Sequence, residues 1–308
     1  MIKIYNRELK KYEIEEITGG KIIKTLYNTG YGKISLELMF KRKIYSVLTG
    51  KLCDSKISAK KIRKFVQKNN IDISESCERL EDFKSFNDFF TRKLKSHSRP
   101  FPNDPQLFLS PGDGRIRAWT NIGMEKKIKI KGFDYSYKEL VSNNVIEDGY
   151  DGGTAIVLRL NPTDYHRFHF VDDGVCSQST KIKGYYYSVN PVALSAYPKI
   201  FCRNVREYST FKSENYGDIL FIEVGATCVG SIVQTYVPNT FIKRGSEKGF
   251  FKFGGSTIIL IIKKGYVKID EDIEYQTNLG YETKIKAGEV IGKSIFRIDK
   301  NESNFKNL

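Results

Sequence analysis

The chain reads as an α+β protein in which an N-terminal helical region packs on a β-rich, mainly antiparallel domain. Three observations predict this. From about Lys33 to Leu94 apolar residues recur at helical spacing. Pro100, Pro102, Pro105 and Pro111 then crowd a short stretch, which marks a boundary. Beyond them short apolar runs alternate with glycine turns, and few long helical periods interrupt, which points to antiparallel rather than βαβ construction. The expected domains are residues 1–100 and 101–308.

In order along the chain, the first 30 residues alternate apolar patches with charge and contain Gly19-Gly20, the pattern of a small strand pair. A helix over Leu36 to Leu48 would gather Leu36, Met39, Phe40, Lys43 and Val47 on one side. Ser58 is placed to cap a helix carrying Ile62, Phe65 and Val66. Ser85 with Asp88 resembles a capping box ahead of Phe86, Phe89, Phe90 and Leu94. Strands are expected over Thr154–Leu160, Ile219–Val224, Ile232–Val237, Phe250–Ile262, Tyr266–Ile269 and Lys284–Lys286. No internal repeat or low-complexity segment is present.

Five cysteines, scattered without a CxxC pair, read as reduced thiols in a cytosolic protein. No N-terminal apolar signal follows Met1, and the longest apolar run, Ile258–Ile262, is far below the roughly 20 residues a membrane-spanning helix needs. The net charge of +15 is uneven: residues 1–100 hold 23 Lys and Arg against 12 Asp and Glu. A basic face suits nucleic acid, an anionic lipid surface or plain solubility. Finger spacing, an RNP-type aromatic signature and a dense basic run are all missing, so nucleic acid is not expected. Lysine stems along Leu36–Leu48 can lie on apolar surface while their heads reach lipid phosphates, although a core-packing helix fits the same pattern.

Candidate chemistry gathers at three places. Ser256 stands behind Gly254-Gly255 at the mouth of the apolar run; Asp113 lies in Ser110-Pro111-Gly112-Asp113-Gly114; His166 and His169 share Asp164-Tyr165-His166-Arg167-Phe168-His169. An imidazole can take a serine proton while a carboxylate fixes its tautomer. The bland alternatives stay open on residues alone: core histidines, an ordinary Asp-Gly turn, an unremarkable serine at a strand start. His-x-x-His without further ligands makes no metal site. Without Gly-x-Ser-x-Gly, a plain serine hydrolase is disfavoured.

Taken in order, these motifs together with Phe86-Asn87-Asp88-Phe89-Phe90-Thr91-Arg92-Lys93-Leu94, Asn204-Val205-Arg206, Val224-Gly225-Ala226, Val229-Gly230-Ser231-Ile232 and Gly254-Gly255-Ser256-Thr257 give the chain a resemblance to the phosphatidylserine decarboxylases. The likeness covers nearly the whole length. It departs in two places: the common Leu-Gly-Ser-Thr reads Gly-Gly-Ser-Thr here, and Val171 replaces a usual proline.

The resemblance implies a pyruvoyl enzyme that makes its own cofactor, pyruvate, from Ser256. His169 oriented by Asp113 would deprotonate Ser256, whose oxygen attacks the Gly255 carbonyl. Gly255 would allow the strained turn. Elimination and loss of ammonia would then leave a pyruvoyl group heading residues 256–308, with residues 1–255 as partner fragment. That group would form a Schiff base with phosphatidylserine and accept the electrons released with carbon dioxide, yielding phosphatidylethanolamine. His166 would be the acid that protonates the carbanion and a substrate contact. Arg206 is a candidate for the lipid phosphate, with a structural ion pair as the alternative. The expected setting is peripheral, on the cytoplasmic face of an anionic membrane. A pyruvoyl decarboxylase of a soluble amino acid, and an unprocessed lipid-binding homologue, are the rival readings.

Overall fold

The computed structural model describes residues 2–16, 20–123, 127–143, 149–227 and 232–295. Strands β1 (Ile2–Asn6) and β2 (Lys11–Glu15) lead into helices α1 (Gly20–Asn28), α2 (Gly30–Ser35), α3 (Lys43–Asp54), α4 (Ile62–Asn69) and α5 (Phe86–Phe90). After the prolines come β3 (Leu107–Leu109), β4 (Gly114–Ile122), β5 (Ile128–Ile130), β6 (Phe133–Tyr135), α6 (Tyr137–Leu140), β7 (Gly153–Leu160), β8 (Arg167–His169), β9 (Gly174–Cys176) and β10 (Thr180–Ile182). Next are α7 (Pro191–Ala196), α8 (Ile200–Arg203), β11 (Arg206–Ser213), β12 (Gly217–Val224), β13 (Ile232–Gln234), β14 (Phe241–Ile242) and β15 (Glu247–Phe251). The chain closes with β16 (Ser256–Ile262), β17 (Val267–Ile269), α9 (Glu271–Asn278), β18 (Glu282–Ile285) and β19 (Val290–Ser294).

The expected α+β class holds. A large sheet runs β14-β9-β11-β12-β16-β7-β4-β18-β1-β2, with β10 on the side of β11. Its pairs are antiparallel except β1 with β18. The continuous apolar run of β16 has a simple cause: both faces of the sheet are covered. Ile259 and Ile261 enter one core with Leu220, Ile222 and Val157, while Ile258, Leu260 and Ile262 enter the other with Phe168, Phe221 and Leu158. Each such side chain contributes about 2 kcal/mol by leaving water. The β1–β2 hairpin is present as expected, and it extends this sheet rather than joining the helices.

Three local expectations are corrected. Leu36–Leu48 is not one helix: a π turn over Leu36–Phe40 ends at Lys41, and Arg42, in extended conformation, starts α3 afresh. Lys41 turns inward to Glu37 and to the Tyr187 hydroxyl, 3.3 Å away, which breaks the helical run. Ser58 does not cap α4; its Oγ donates to Cys53 O and Ser55 O and accepts from the Phe86 amide at 2.8 Å, tying two helical turns together. Phe250–Ile262 is two strands, β15 and β16, separated by Lys252-Phe253-Gly254-Gly255. By contrast Ser85 caps α5 as expected, accepting from Asp88 N, while the Asp88 carboxylate accepts from Lys84 N one residue further out.

Candidate active site

The gap between β15 and β16 is where the motifs meet. The Phe253 amide leaves the ladder to donate to Asn87 Oδ1 at 2.8 Å, and Asn87 in turn donates to Asp54 at 2.9 Å. The Phe253 ring stands edge-on to Phe86 and Phe90, with centroids 5.0 and 5.2 Å apart, so the FNDFF helix clasps this segment from outside. Gly254 has φ +141°, where a side chain is strained, so it is this residue rather than Gly255 that carries the unusual backbone. Gly255 instead lies against Val189, whose Cγ2 would stand 3.4 Å from an added Cβ.

Ser256 opens β16 opposite Leu160 of β7. Strand alternation puts its side chain on the face of Ile258 and Leu260. It is fully buried, and its Oγ has no hydrogen-bond partner among the described residues. A hydroxyl in that condition costs about 1–3 kcal/mol.

Both histidines are neutral, and their hydrogen bonds fix the tautomers. His166 Nδ1 lies 3.0 Å from the Asp164 carbonyl, which can only accept, so Nδ1 carries the proton. Nε2 then holds a lone pair, is buried, and has no partner among the described residues. The ring packs on Phe90 at 4.0 Å, and the Gly254 backbone is close enough to act on its titration. Burial pushes its pKa down to about 3, against the pull of the Asp164 carbonyl, and the nearby charge of Arg92 pushes the same way. His169 uses the same tautomer, with Nδ1 donating to Gly245 O at 3.0 Å, but its Nε2 accepts from the Tyr165 hydroxyl at 3.2 Å. Burial lowers its pKa as well, with Gly245, Glu247 and Asp113 pulling upward. Thus His166 has a free lone pair beside Gly254, whereas that of His169 is already engaged.

Asp113 is brought into the neighbourhood by the backbone: the His169 amide donates to Pro111 O at 2.8 Å. Its carboxylate accepts from Arg99 through both oxygens, at 2.8 and 2.7 Å, and from the Ala287 amide at 2.8 Å. Arg99 also grips Glu75. Asp113 therefore acts on His169 and His166 through its charge, while its hydrogen bonds go to Arg99 and Ala287.

Behind the Asp164-Tyr165-His166 turn lies a buried ion network. Arg115 and Arg159 face each other directly across β4 and β7, an arrangement that would repel without counter-charge. Glu15 of β2 reaches between them and pairs with both; Glu282 takes the other side of Arg159 at 2.6 Å, and Asp164 pairs with Arg115. Asp164 also accepts from the Asn161 amide at 2.7 Å, which pins the turn carrying His166.

Arg206 is turned into the fold. Its guanidinium is buried and donates to the carbonyls of Leu140, Cys202, Asn204 and Glu139 and to Ser142 Oγ, and among the described residues it makes no ion pair. The Val229-Gly230-Ser231 motif and Cys228 lie outside the described residues. Cys53, Cys77, Cys176 and Cys202 are free thiols, and among the described residues no His, Cys, Asp or Glu cluster could hold a metal ion.

A cavity of about 330 Å³ opens on this segment. Gly254 and Gly255 form part of its wall, with Leu160 and Val189 beside them; Leu26 and Tyr27 of α1 and Leu36 and Phe40 of the π turn close the opposite side. The N-terminal helices thus make a largely apolar approach to the Gly255–Ser256 link.

Comparison with known proteins decides the family. Residues 86–293 match the phosphatidylserine decarboxylase family. The chain belongs to that family. It is 59% identical to the phosphatidylserine decarboxylase proenzyme of Ruminiclostridium cellulolyticum, over 96% of this chain and 98% of the relative. The proenzymes of Clostridium botulinum and Clostridium perfringens are 54% and 52% identical, each over 95% of this chain and 99% of their own length.

Within this family member, several residues next to the link had no role assigned from sequence. Asn87 and Arg92 stood inside a quoted motif, but nothing in the motif says that Asn87 holds the Phe253 amide. Arg92 is buried with its Nε unpartnered among the described residues and its guanidinium 4.9 Å from the Phe89 ring. Burial, more than any neighbouring charge, depresses its pKa. Glu15 and Arg99 carried no signal beyond a charge in a polar stretch.

Proposed function

We propose that this chain decarboxylates phosphatidylserine to phosphatidylethanolamine after cutting its own backbone between Gly255 and Ser256. Membership of the family supports the reaction. The observation that supports the self-cleavage is a fully buried Ser256 Oγ, unpartnered among the described residues, two residues past the strained Gly254, whose backbone acts on the neutral His166 imidazole.

Once Oγ loses its proton it attacks the carbonyl carbon of Gly255, and the amide C–N bond breaks as an ester forms. Removal of the Ser256 Cα proton expels the Gly255 carboxylate, leaving dehydroalanine at the new N-terminus. Water then displaces ammonia, and Ser256 has become a pyruvoyl group heading residues 256–308, with residues 1–255 as the other fragment of a heterodimer. The site fits such a group: the ketone would arise at the Ser256 Cα and the carbon that bore the orphaned hydroxyl would become its methyl group, both in a fully buried position. When present, the group supplies an electrophilic carbonyl for the substrate amine and an acceptor for the electrons freed with carbon dioxide.

The resemblance gives proton removal from Ser256 to His169 under the influence of Asp113, and gives His166 the proton delivered to the product. A second reading is favoured by the free Nε2 of His166 beside Gly254: His166 serves both as base for Ser256 and as proton carrier in turnover. Asparagine at each position separates them. If His169→Asn stops cleavage and His166→Asn permits it, the first holds; the reverse pattern supports the second.

The apolar approach to the link favours a lipid over a soluble amino acid. Residues 20–68 hold 13 Lys and Arg against 2 Asp and Glu, and they expose Ile22, Ile34, Leu38, Ile44, Leu48, Leu52 and Ile57. Apolar side chains among cations are the composition of a surface that lies on an anionic bilayer. Among the described residues no helix is long and apolar enough to cross one. Docking is peripheral and, in this reading, on the cytoplasmic face. Lys41 takes no part in it, being turned in to Glu37, whereas Arg42 and Lys43 remain exposed.

Intact mass of the purified protein tests the cleavage. The expected species are two fragments, the smaller lighter by one ammonia than the peptide beginning with Ser256. Decarboxylation by uncut protein, or an unmodified serine at that end, would refute it.

A further inference from the structure

A second cleft, of about 480 Å³, lies on the far side of α1 from the apolar pocket. Its charge is one-sided. Lys3 of β1, Lys24 of α1 and Lys131 of the β5–β6 turn all line it, with Asn28, Ser195 and Tyr281 as uncharged polar neighbours, and no carboxylate is among the lining residues.

Among the described residues none of the three lysines makes a salt bridge. The Lys3 ammonium stands 4.2 Å from the Tyr12 ring and 5.3 Å from the Tyr281 ring, contacts that position it without a carboxylate partner among the described residues. Lys131 occupies the first position of the tight turn with Gly132, at φ +48°, a left-handed conformation that a lysine adopts at a cost and that glycine or asparagine would adopt more readily. It is partly buried, and among the described residues it makes no salt bridge. Among the described residues Glu282 is the one carboxylate that acts on it favourably, and Glu282 is already bound by Arg159; Arg117 and Arg159 oppose its charge. Lys24 is four residues from Asn28 on one face of α1, while Ile23, Leu26 and Tyr27 on the other face wall the pocket at Gly255.

We propose that this cleft is a binding site for a phosphoryl oxyanion, separate from the substrate pocket. Three lysines line it, and the side-chain amide of Asn28 and the hydroxyl of Tyr281 add hydrogen-bond donors, while the Ser195 hydroxyl is already donated to the Pro191 carbonyl at 2.9 Å. A phosphate monoanion or dianion and the phosphodiester of an acidic phospholipid share the required chemistry. Either occupant neutralises the repulsion among the three lysines and ties α1 to β1 and to the β5–β6 turn.

Lysine acetylation of the full-length protein, read residue by residue by mass spectrometry, tests this without relying on activity. Four conditions are compared at equal ionic strength: chloride, inorganic phosphate, phosphatidylcholine vesicles, and vesicles of phosphatidylcholine with phosphatidylglycerol. Lys264, exposed in the β16–β17 turn, serves as reference. A several-fold drop in acetylation of Lys3, Lys24 and Lys131 with inorganic phosphate supports the site with a soluble occupant. The same drop with phosphatidylglycerol vesicles alone supports it with a lipid occupant. Equal labelling in all four conditions, or equal protection by phosphatidylcholine vesicles, overturns it. In the first case K131Q weakens phosphate binding about tenfold, the loss expected for one charged hydrogen bond.

Discussion

Among the described residues Ser256 and His166 each leave one buried polar atom without a partner, and that shared deficit makes two predictions at the scale of single residues. Ser256→Ala is expected to fold, since it removes an unsatisfied hydroxyl, and to remain a single chain of 308 residues on a denaturing gel. It is expected to be more stable toward urea than an uncut wild-type chain by about 1 kcal/mol. The second concerns pH. His166 titrates near 6.5 when unfolded and near 3 when folded, so the unfolded state binds the extra proton between those values. The contribution of the neutral ring to stability is complete above about pH 6.5 and falls by about 1.4 kcal/mol per pH unit as acid is added. Thermal unfolding measured from pH 7 to pH 5 is expected to show this loss, with His169 adding to it in the same direction; His166→Asn reduces the slope by one proton.

Strand β2 lies outside the residues that match the family, yet its Glu15 sits between the two arginines that back the His166 turn. Burial would raise its pKa, but Arg159 and Arg115 together hold it below the usual carboxylate value. Glu15→Gln leaves two facing guanidinium groups undercompensated in a buried site, and is expected to cost about 3–5 kcal/mol in urea unfolding. Self-cleavage, followed as fragment appearance over time, is expected to slow with it. No sequence pattern announced this contact, because a glutamate in Lys-Tyr-Glu-Ile-Glu looks like one more exposed strand charge. The same blindness applied to β4 and β11: Gly-Arg-Ile-Arg-Ala-Trp-Thr-Asn-Ile and Arg-Glu-Tyr-Ser-Thr-Phe-Lys-Ser carry charges that are inside the fold, so hydropathy concealed two central strands. Where burial is purely apolar, as over residues 155–158 and 258–262, the elements could be read directly. Motif order likewise located the site region, but spacing along a chain cannot say which of two nearby imidazoles has a free nitrogen, or that Arg99 takes the hydrogen bonds of Asp113.

Across the whole molecule, the basic, apolar-studded surface of residues 20–68 and the pocket at Gly255 share α1 and the π turn, so the proposed membrane docking would use the same elements as access to the site. Replacing Leu38, Ile44 and Leu48 with glutamate is expected to lower binding to phosphatidylglycerol vesicles by tenfold or more in a flotation assay, with the fold kept, because all three side chains are already exposed. Arg42→Glu with Lys43→Glu is expected to lower it less, in a salt-dependent way. The position of β16 has a different consequence. It lies between β12 and β7, in the interior of the large sheet, and Ser256 is its first residue. Once the link before it is cut, this central strand belongs to another polypeptide, and every later attempt to rebuild the sheet becomes an encounter between two molecules in solution. The melting temperature of the cut protein is then expected to rise with protein concentration while that of Ser256→Ala does not. Maturation in this fold is a one-way door: a molecule that loses its shape afterwards has lost the chain connectivity that first assembled it.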